Sequence, residues 1–205
     1  MIIAVSGNIG AGKTTLVKRL SHALNYRAEY EAIDQNPYLE QFYYDMKRWS
    51  FPLQVYFLSH RFRQGMNLNH DGQGIVLDRT IYEDAWVFAQ NLHRSGHMSD
   101  KDYKTYLHLY EGMVKLVPAP DLLIYLQASP KLLAGRIKTR GKSGDRTFEE
   151  SIPTAYLRDL NHFYEEWIGQ YSDSEIYTID IDQIDLAQES EFKKLLETVQ
   201  HYQDA

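Results

Sequence analysis

The stretch VSGNIGAGKTT, residues 5–15, constrains the fold more than any other part of the chain. It separates Gly7 from Gly12-Lys13-Thr14 by four residues, the spacing of a loop that wraps an anion with its backbone. An apolar run, Ile2 to Val5, leads into it, and a helical pattern with Leu16, Leu20, Ala23 and Leu24 on one face follows. Strand, glycine loop and helix N-terminus in that order make a phosphate site. The glycines let successive N–H groups turn inward, and the helix dipole favours negative charge at that end. On this reading Gly7, Asn8, Gly10, Ala11, Gly12, Lys13, Thr14 and Thr15 cradle the phosphates of a nucleoside triphosphate, ATP by default. Lys13 reaches the β- and γ-phosphates, and the Thr14 hydroxyl ligates the Mg2+ that travels with them.

A chain of 205 residues is most economically one domain, residues 1–205, with room for a substantial core. The formal net charge of −6 argues against a general nucleic-acid partner, which would call for a basic excess. Small diffusible substrates are expected instead. With no cysteine, disulfides, thiolate chemistry and sulfur-ligated metals are excluded. MIIAVSGN runs straight into the phosphate motif, and no apolar run approaches the ~20 residues of a membrane span, so no membrane association and a cytoplasmic location are expected. Several of the sixteen tyrosines cluster between residues 38 and 56, which fits either an aromatic-lined pocket or an aromatic helical core.

Five short strands are predicted: Ile2 to Val5, Ala28 to Ile33, Gly74 to Leu77, Asp121 to Leu126 and, more weakly, Glu175 to Ile179. Most are continuously apolar, as in a parallel sheet covered on both faces. Helical segments fall near 13–24, 38–47, 52–69, 80–94, 99–117, 130–140, 152–171 and 187–202. The alternation implies an α/β fold with five parallel strands, helices on both faces, and ligands at the carboxyl ends of the strands.

Residues just after those strands therefore carry the functional reading. Glu31 puts a carboxylate where a buried layer would otherwise want an apolar residue, and a carboxylate there can accept a hydroxyl proton as phosphorus is attacked. In VLDRT, Asp78 stands where such enzymes place an acidic residue on the metal or its waters. Arg79, next to it, can stabilise transferring phosphoryl oxygens or hold the base carboxylate. Gln54 is an amide in the largely apolar helix FPLQVYFLSHRFRQ. It is either solvent-exposed or paired with something, and the edge of an adenine would supply two points of contact. Arg136 and Arg140 share one helix face ahead of Gly141-Lys142-Ser143-Gly144-Asp145-Arg146, which reads as an arginine lid spanning about 136–151.

Taken together, GNIGAGKTT, NPYLEQFYYDMKRWSFPLQVYFLSHR, DRTIYEDAWVF and RIKTRGK, in that order, resemble the deoxyribonucleoside kinases, and most closely the bacterial deoxyadenosine/deoxyguanosine branch. The resemblance covers nearly the whole chain and implies the P-loop nucleoside and nucleotide kinase fold. It implies that Glu31 activates the sugar 5′-hydroxyl, supported by Arg79. It places Tyr43, or its neighbour Tyr44, on the 3′-hydroxyl, and Gln54 on the base with Asp84 and Arg61 completing that network. Arg136 and Arg140 match lid arginines, Glu149 matches a lid carboxylate near the 3′-hydroxyl, and Thr14 with Asp78 would serve the metal. The same resemblance implies a homodimer, for which the helices at 52–69 and 99–117 offer a self-complementary face. Two departures stand out. Lys142 occupies the place of a third lid arginine, and the segment from Ser143 to Thr147 is longer than the usual lid; Asp78 replaces the glutamate of some branches, and either carboxylate can serve the metal.

The expected reaction is ATP-dependent 5′-phosphorylation of a deoxynucleoside acceptor, deoxyadenosine first, with deoxycytidine and deoxyguanosine as further candidates. An Asp84 carboxylate that only accepts hydrogen bonds suits the exocyclic amine of adenine or cytosine and opposes the O6 of guanine. Two other readings compete. A nucleoside monophosphate kinase of the thymidylate kinase type would need no base such as Glu31, and a nucleotide switch or motor ATPase would hydrolyse slowly without an acceptor.

Overall fold

Apolar side chains on two consecutive faces of a strand force that strand into the middle of the molecule, and Ile3, Ala4 and Val5 together with Leu122, Leu123 and Ile124 do so here. In the computed structural model, which describes all residues but 32, 34, 35, 69–71, 143–151 and 205 and the side chains of 142 and 204, these two runs lie side by side. They are strands β1 (Ile2–Gly7) and β4 (Leu122–Gln127). With β2 (Arg27–Glu29), β3 (Ile75–Asp78) and β5 (Glu175–Asp180) they form a five-stranded parallel sheet in the order β2-β3-β1-β4-β5. The expected α/β architecture is the one observed.

The helices are α1 (Lys13–Leu24), α2 (Leu39–Tyr44), α3 (Met46–Met66), α4 (Ile81–Glu83), α5 (Gln90–Arg94), α6 (Asp100–Val114), α7 (Pro130–Lys142), α8 (Thr154–Ile168) and α9 (Glu189–Asp204). Three expectations are corrected. Strand β2 stops at Glu29 instead of reaching Ile33, so Glu31 lies on the segment beyond the strand. Helix α3 begins at Met46, six residues before the expected start at Pro52. Asp45 caps it by accepting from the Arg48 N–H at 3.1 Å, which leaves Pro52 inside the helix. Proline is tolerated there although it deprives the Arg48 carbonyl of its usual donor. The helix expected at 80–94 is interrupted by a π-helical turn, Asp84–Ala89, between α4 and α5. Such turns insert one residue and re-aim the side chains around it.

The buried face of α3 is only partly apolar. Ser50, Gln54, Leu58, Arg61 and Gly65 follow one another at helical spacing, so most of its inward stripe is polar or lacks a side chain. Gly65 is required by packing: a Cβ there would run into the Val117 side chain, whereas a Cβ at exposed Gly112 on α6 meets nothing within 4 Å. Gly65→Ala should therefore lower unfolding stability by about 1–3 kcal/mol through overpacking. Gly112→Ala should raise it by up to about 1 kcal/mol through helix propensity. Urea unfolding of the two variants beside the parent chain checks the pair.

Candidate active site

The loop after β1 is held open by backbone geometry that side chains resist. Gly7 has φ +142° and Gly12, the residue before α1, has φ +97°. A Cβ on Gly7 would sit 2.7 Å from the Leu126 carbonyl oxygen of β4. Asn8 stiffens the loop from outside by donating to the Leu157 carbonyl at 2.9 Å and to Asn161 Oδ1 at 2.5 Å, both on α8. Gly10 and Ala11 complete the turn, with the Ala11 N–H on the Asn8 carbonyl at 3.2 Å. Lys13 is only 6 % exposed and donates to the Asn8 carbonyl at 3.0 Å. Burial, reinforced by Arg79, lowers its pKa to about 8, against the opposing pull of Asp78 and Glu31. An ammonium so placed is short of negative charge.

Register puts the ends of β1 and β3 together, pairing Val5 with Asp78. Thr14 at the start of α1 donates to Asp78 Oδ2 at 2.5 Å, while Asp78 Oδ1 is buried with no hydrogen-bond partner. Burial raises the Asp78 carboxyl above its ordinary range. A hydroxyl and an unsatisfied carboxylate oxygen side by side are the hard donors that Mg2+ prefers. Among the described residues no group of three His, Cys, Asp or Glu converges on a metal-sized site, so an ion here would take most of its shell from water and phosphate.

Across the loop from Lys13, Glu31 is gripped by two guanidinium groups. Arg79 Nε lies 3.2 Å from Glu31 Oε1, and Arg61 Nη2 lies 3.3 Å from the same oxygen. Burial opposes ionisation of Glu31, but Arg79 and Arg61, aided by Lys13, outweigh it and hold the carboxyl below its ordinary range. Arg61 is fixed in turn by donating to the Asp78 carbonyl at 2.7 Å and meeting Asp84 Oδ2 at 3.5 Å. Arg79 has φ +75°, a left-handed backbone that costs a non-glycine residue about 1–3 kcal/mol. Its N–H bonds the Val5 carbonyl at 3.0 Å, and its Nη1 donates to the Gly7 carbonyl at 2.9 Å, to Glu83 Oε2 at 3.1 Å and to the Tyr164 hydroxyl.

Between the glycine loop and α3 opens a cleft of about 890 Å³ including its solvent-open mouth. Thr14, Thr15, Glu31, Arg79 and Arg140 line its phosphate end, and Gln54, Asp84, Phe57, Phe88 and Tyr156 its apolar end. The choice left open for Gln54 resolves as burial: it is 3 % exposed and its Oε1 has no partner. Asp84, at the start of the π-helical turn, is fully enclosed. Burial, against the pull of Arg61, lifts its pKa to about 7. Burial thus works against the purely accepting carboxylate expected of Asp84 at neutral pH.

Tyr43 lines the cleft, whereas neighbouring Tyr44 is 79 % exposed. Arg136 does not share the cleft with Arg140. Its Nη1 donates to the Ala11 carbonyl at 3.0 Å, and it borders a separate groove formed by Gly12, Thr15, Arg19 and the segment Ile181 to Ala187 after β5. Glu149 and the lid residues 143–151 lie outside the described residues. Sequence reasoning missed Glu83 and Tyr164. Glu83 closes a capping box with Thr80, a spacing readable in the chain, while nothing in the sequence marks Tyr164.

A glycine loop after β1, an acid and an arginine at the end of β3, and a carboxylate on the same cleft are the parts of a P-loop phosphotransferase. The chain belongs to the deoxynucleoside kinase family, whose family model matches residues 3–203. It is 41 % identical over 187 residues to a Bacillus subtilis deoxyadenosine/deoxycytidine kinase, covering 90 % of this chain and 84 % of that one. It is 36 % identical over 202 residues to a deoxyguanosine kinase of the same organism, covering 94 % and 93 %. Its fold is similar to the solved deoxyadenosine kinase from M. mycoides with bound dATP, with a TM-score of 0.85, 32 % identity and coverage of 98 % of this chain and all of that one.

Because the charged form of Lys13 is the one that attracts phosphate, affinity for a nucleoside triphosphate should be constant up to about pH 7 and weaken as pH rises through about 8. Isothermal calorimetry between pH 7 and 9.5 checks this, with Lys13→Arg expected to show a flatter profile because guanidinium keeps its proton.

Proposed function

We propose that the protein transfers the γ-phosphoryl group of ATP to the 5′-hydroxyl of a deoxynucleoside, with deoxyadenosine the preferred acceptor. The observation that carries this reading is the Glu31 carboxylate, kept ionised by two arginines at the junction of the phosphate loop and an enclosed pocket. An acceptor that already bore a phosphate would be repelled by that carboxylate and would need no base.

In this reading the acceptor sugar sits between Glu31 and Tyr43, its base between Phe88, Phe57 and Tyr156, and its edge against Gln54 and Asp84. Gln54 Oε1 takes the hydrogen bond of the adenine N6 amine, which supplies the partner that this buried oxygen lacks. Glu31 orients the 5′-hydroxyl and receives its proton as the oxygen attacks phosphorus in line and the bond to the bridging oxygen of ADP breaks. A carboxylate below its ordinary pKa is a weak base. That suffices where bond making lags bond breaking and the proton leaves late. Lys13 and the loop N–H groups hold the β- and γ-phosphates. Arg140 of α7 offsets charge on the transferring group from the cleft wall, and Arg136, held on the Ala11 carbonyl, adds positive charge beside the glycine loop. Held by Thr14 and Asp78, Mg2+ would offset charge on the phosphates. The groove lined by Gly12, Thr15, Arg19 and Ile181 to Ala187 is the place for the donor base.

Asp84 gives this reading a pH dependence. Above pH 7 its carboxylate accepts from an exocyclic amine, and below pH 7 its carboxyl can donate to guanine O6. No described helix is long and apolar enough to cross a membrane. Exposed Met66 at the end of α3 and Leu109 and Leu116 in and after α6 support pairing of two copies through these helices.

The test is phosphoryl transfer from labelled ATP with magnesium to the four deoxynucleosides and their 5′-monophosphates, at pH 6 and pH 8, beside Glu31→Gln. Deoxyadenosine should be the best acceptor, with a loss of about 10²–10⁴-fold in the variant. The deoxyguanosine to deoxyadenosine ratio should be higher at pH 6. Transfer to a monophosphate that survives Glu31→Gln would overturn the reading.

A further inference from the structure

Helix α8 meets the phosphate loop through one stripe of its surface, Leu157, Asn161 and Tyr164, spaced four and three residues apart. The first two hold Asn8, as described above. Tyr164 does something different. It is fully buried, stacks on Tyr125 of β4, and its hydroxyl lies 2.8 Å from the Gly7 carbonyl oxygen, 2.7 Å from Glu83 Oε2 and against Arg79 Nη1. One hydroxyl hydrogen thus faces two acceptors while its oxygen accepts from the arginine.

The chemistry around Arg79 makes that hydroxyl consequential. Arg79 serves two carboxylates, Glu31 through Nε and Glu83 through Nη1. Glu83 has no exposed side-chain surface, so its charge must be met from within the protein, and its donors are the Thr80 N–H at 3.0 Å, Arg79 and Tyr164. Remove the tyrosine donor, and Glu83 draws harder on Arg79. The guanidinium then moves toward Glu83 and away from Glu31. Phe88, whose ring lies under the guanidinium at 4.7 Å, permits sliding because its π face has no directional bond to break.

We propose that Tyr164 is a positioning residue that divides Arg79 between Glu83 and Glu31, and so sets how firmly the acceptor-side carboxylate is held. Glu83 is the counterweight in that division. The inference rests on Glu31 acting as proposed above, and it assigns to α8 a role in the reaction although Tyr164 lies outside the lining of the cleft. The titratable and charged groups facing Glu31 are Lys13 from α1, His60 and Arg61 from α3, Asp78 from β3, Arg79 after β3 and Asp84 from the π-helical turn. Those facing Arg79 are Glu31, Glu83 from α4, Asp78 from β3, Asp84, Lys13, Arg61, and Tyr156 and Tyr164 from α8. Burial raises the Tyr164 hydroxyl well above its ordinary range, so it keeps its proton throughout the working pH and acts as a fixed donor.

The experiment compares Tyr164→Phe, Glu83→Gln, the double variant and Glu31→Gln by steady-state kinetics with ATP and deoxyadenosine over pH 5 to 9, with thermal midpoints measured alongside. In Tyr164→Phe, kcat should fall about tenfold or more with the KM for ATP unchanged, since the phosphate cradle keeps its glycines and lysine. The acid limb of kcat/KM should move to higher pH, because Glu31 loses part of its cationic hold. Glu83→Gln in the Tyr164→Phe background should return that limb toward the parent position, as a neutral amide no longer competes for Arg79. A purely structural tyrosine predicts a lower thermal midpoint with the acid limb in place, and that result overturns the inference. So does a double variant whose acid limb stays displaced. Full activity in Glu31→Gln would instead sink the functional reading. An inactive Glu31→Gln beside an unaltered Tyr164→Phe would remove this inference alone.

Discussion

A carboxylate stays ionised out of water only where cations replace the water, and the site is organised around that constraint at Glu31. Two guanidinium groups do the work, and each must be fixed by something else. Arg61 is fixed by the Asp78 carbonyl and Asp84, and Arg79 by the Gly7 carbonyl, Glu83 and Tyr164. The network therefore runs from β1 through β3, α3, α4 and α8. Because every member but Glu31, whose side chain is 13 % exposed on the cleft, is buried, loss of one partner leaves a charge that is poorly solvated. The left-handed backbone at Arg79 is stable in that setting because its N–H and side chain are both committed.

The same network joins the glycine-loop end of the cleft to the end at Gln54 and Asp84. Asp78 contributes its side chain to Thr14 and its carbonyl to Arg61, and Arg61 reaches both Glu31 and Asp84. Charge at one end is thus felt at the other. That is why Asp84, though paired with a cation, has a raised pKa: burial pushes it up, and the charges of Glu31 and Glu83 add to the push. A ligand that neutralises any one of these groups changes the protonation of the rest.

Much of this was readable from the chain, for physical reasons that differ by residue. The phosphate loop was legible because Gly7 and Gly12 occupy backbone conformations that exclude other residues, so the spacing is dictated locally. The sheet was legible because doubly covered strands must be apolar on both faces. The start of helix α3 was misplaced because Pro52, which lies inside it, is a residue type favoured at the first position of a helix. The grip on Glu31 was half legible: a carboxylate beyond a strand asks for a partner, but whether Arg61, Arg79 or solvent answers is decided by the fold. Tyr164 was not legible at all, since its position in an aromatic-rich helix looks like core. The π-helical turn at Asp84 leaves no sequence mark that distinguishes it from ordinary helix.

The ionisation of Glu31 is the claim on which the rest depends, and it can be observed without turnover. Difference infrared titration of the ligand-free full chain against Glu31→Gln would isolate the carboxyl band of this residue. A band that remains in its carboxylate form down to a pH below the ordinary value of 4.5 is the result predicted by the double arginine hold. A protonated Glu31 near neutral pH would mean that burial outweighs Arg61 and Arg79, and would contradict the role given to both arginines.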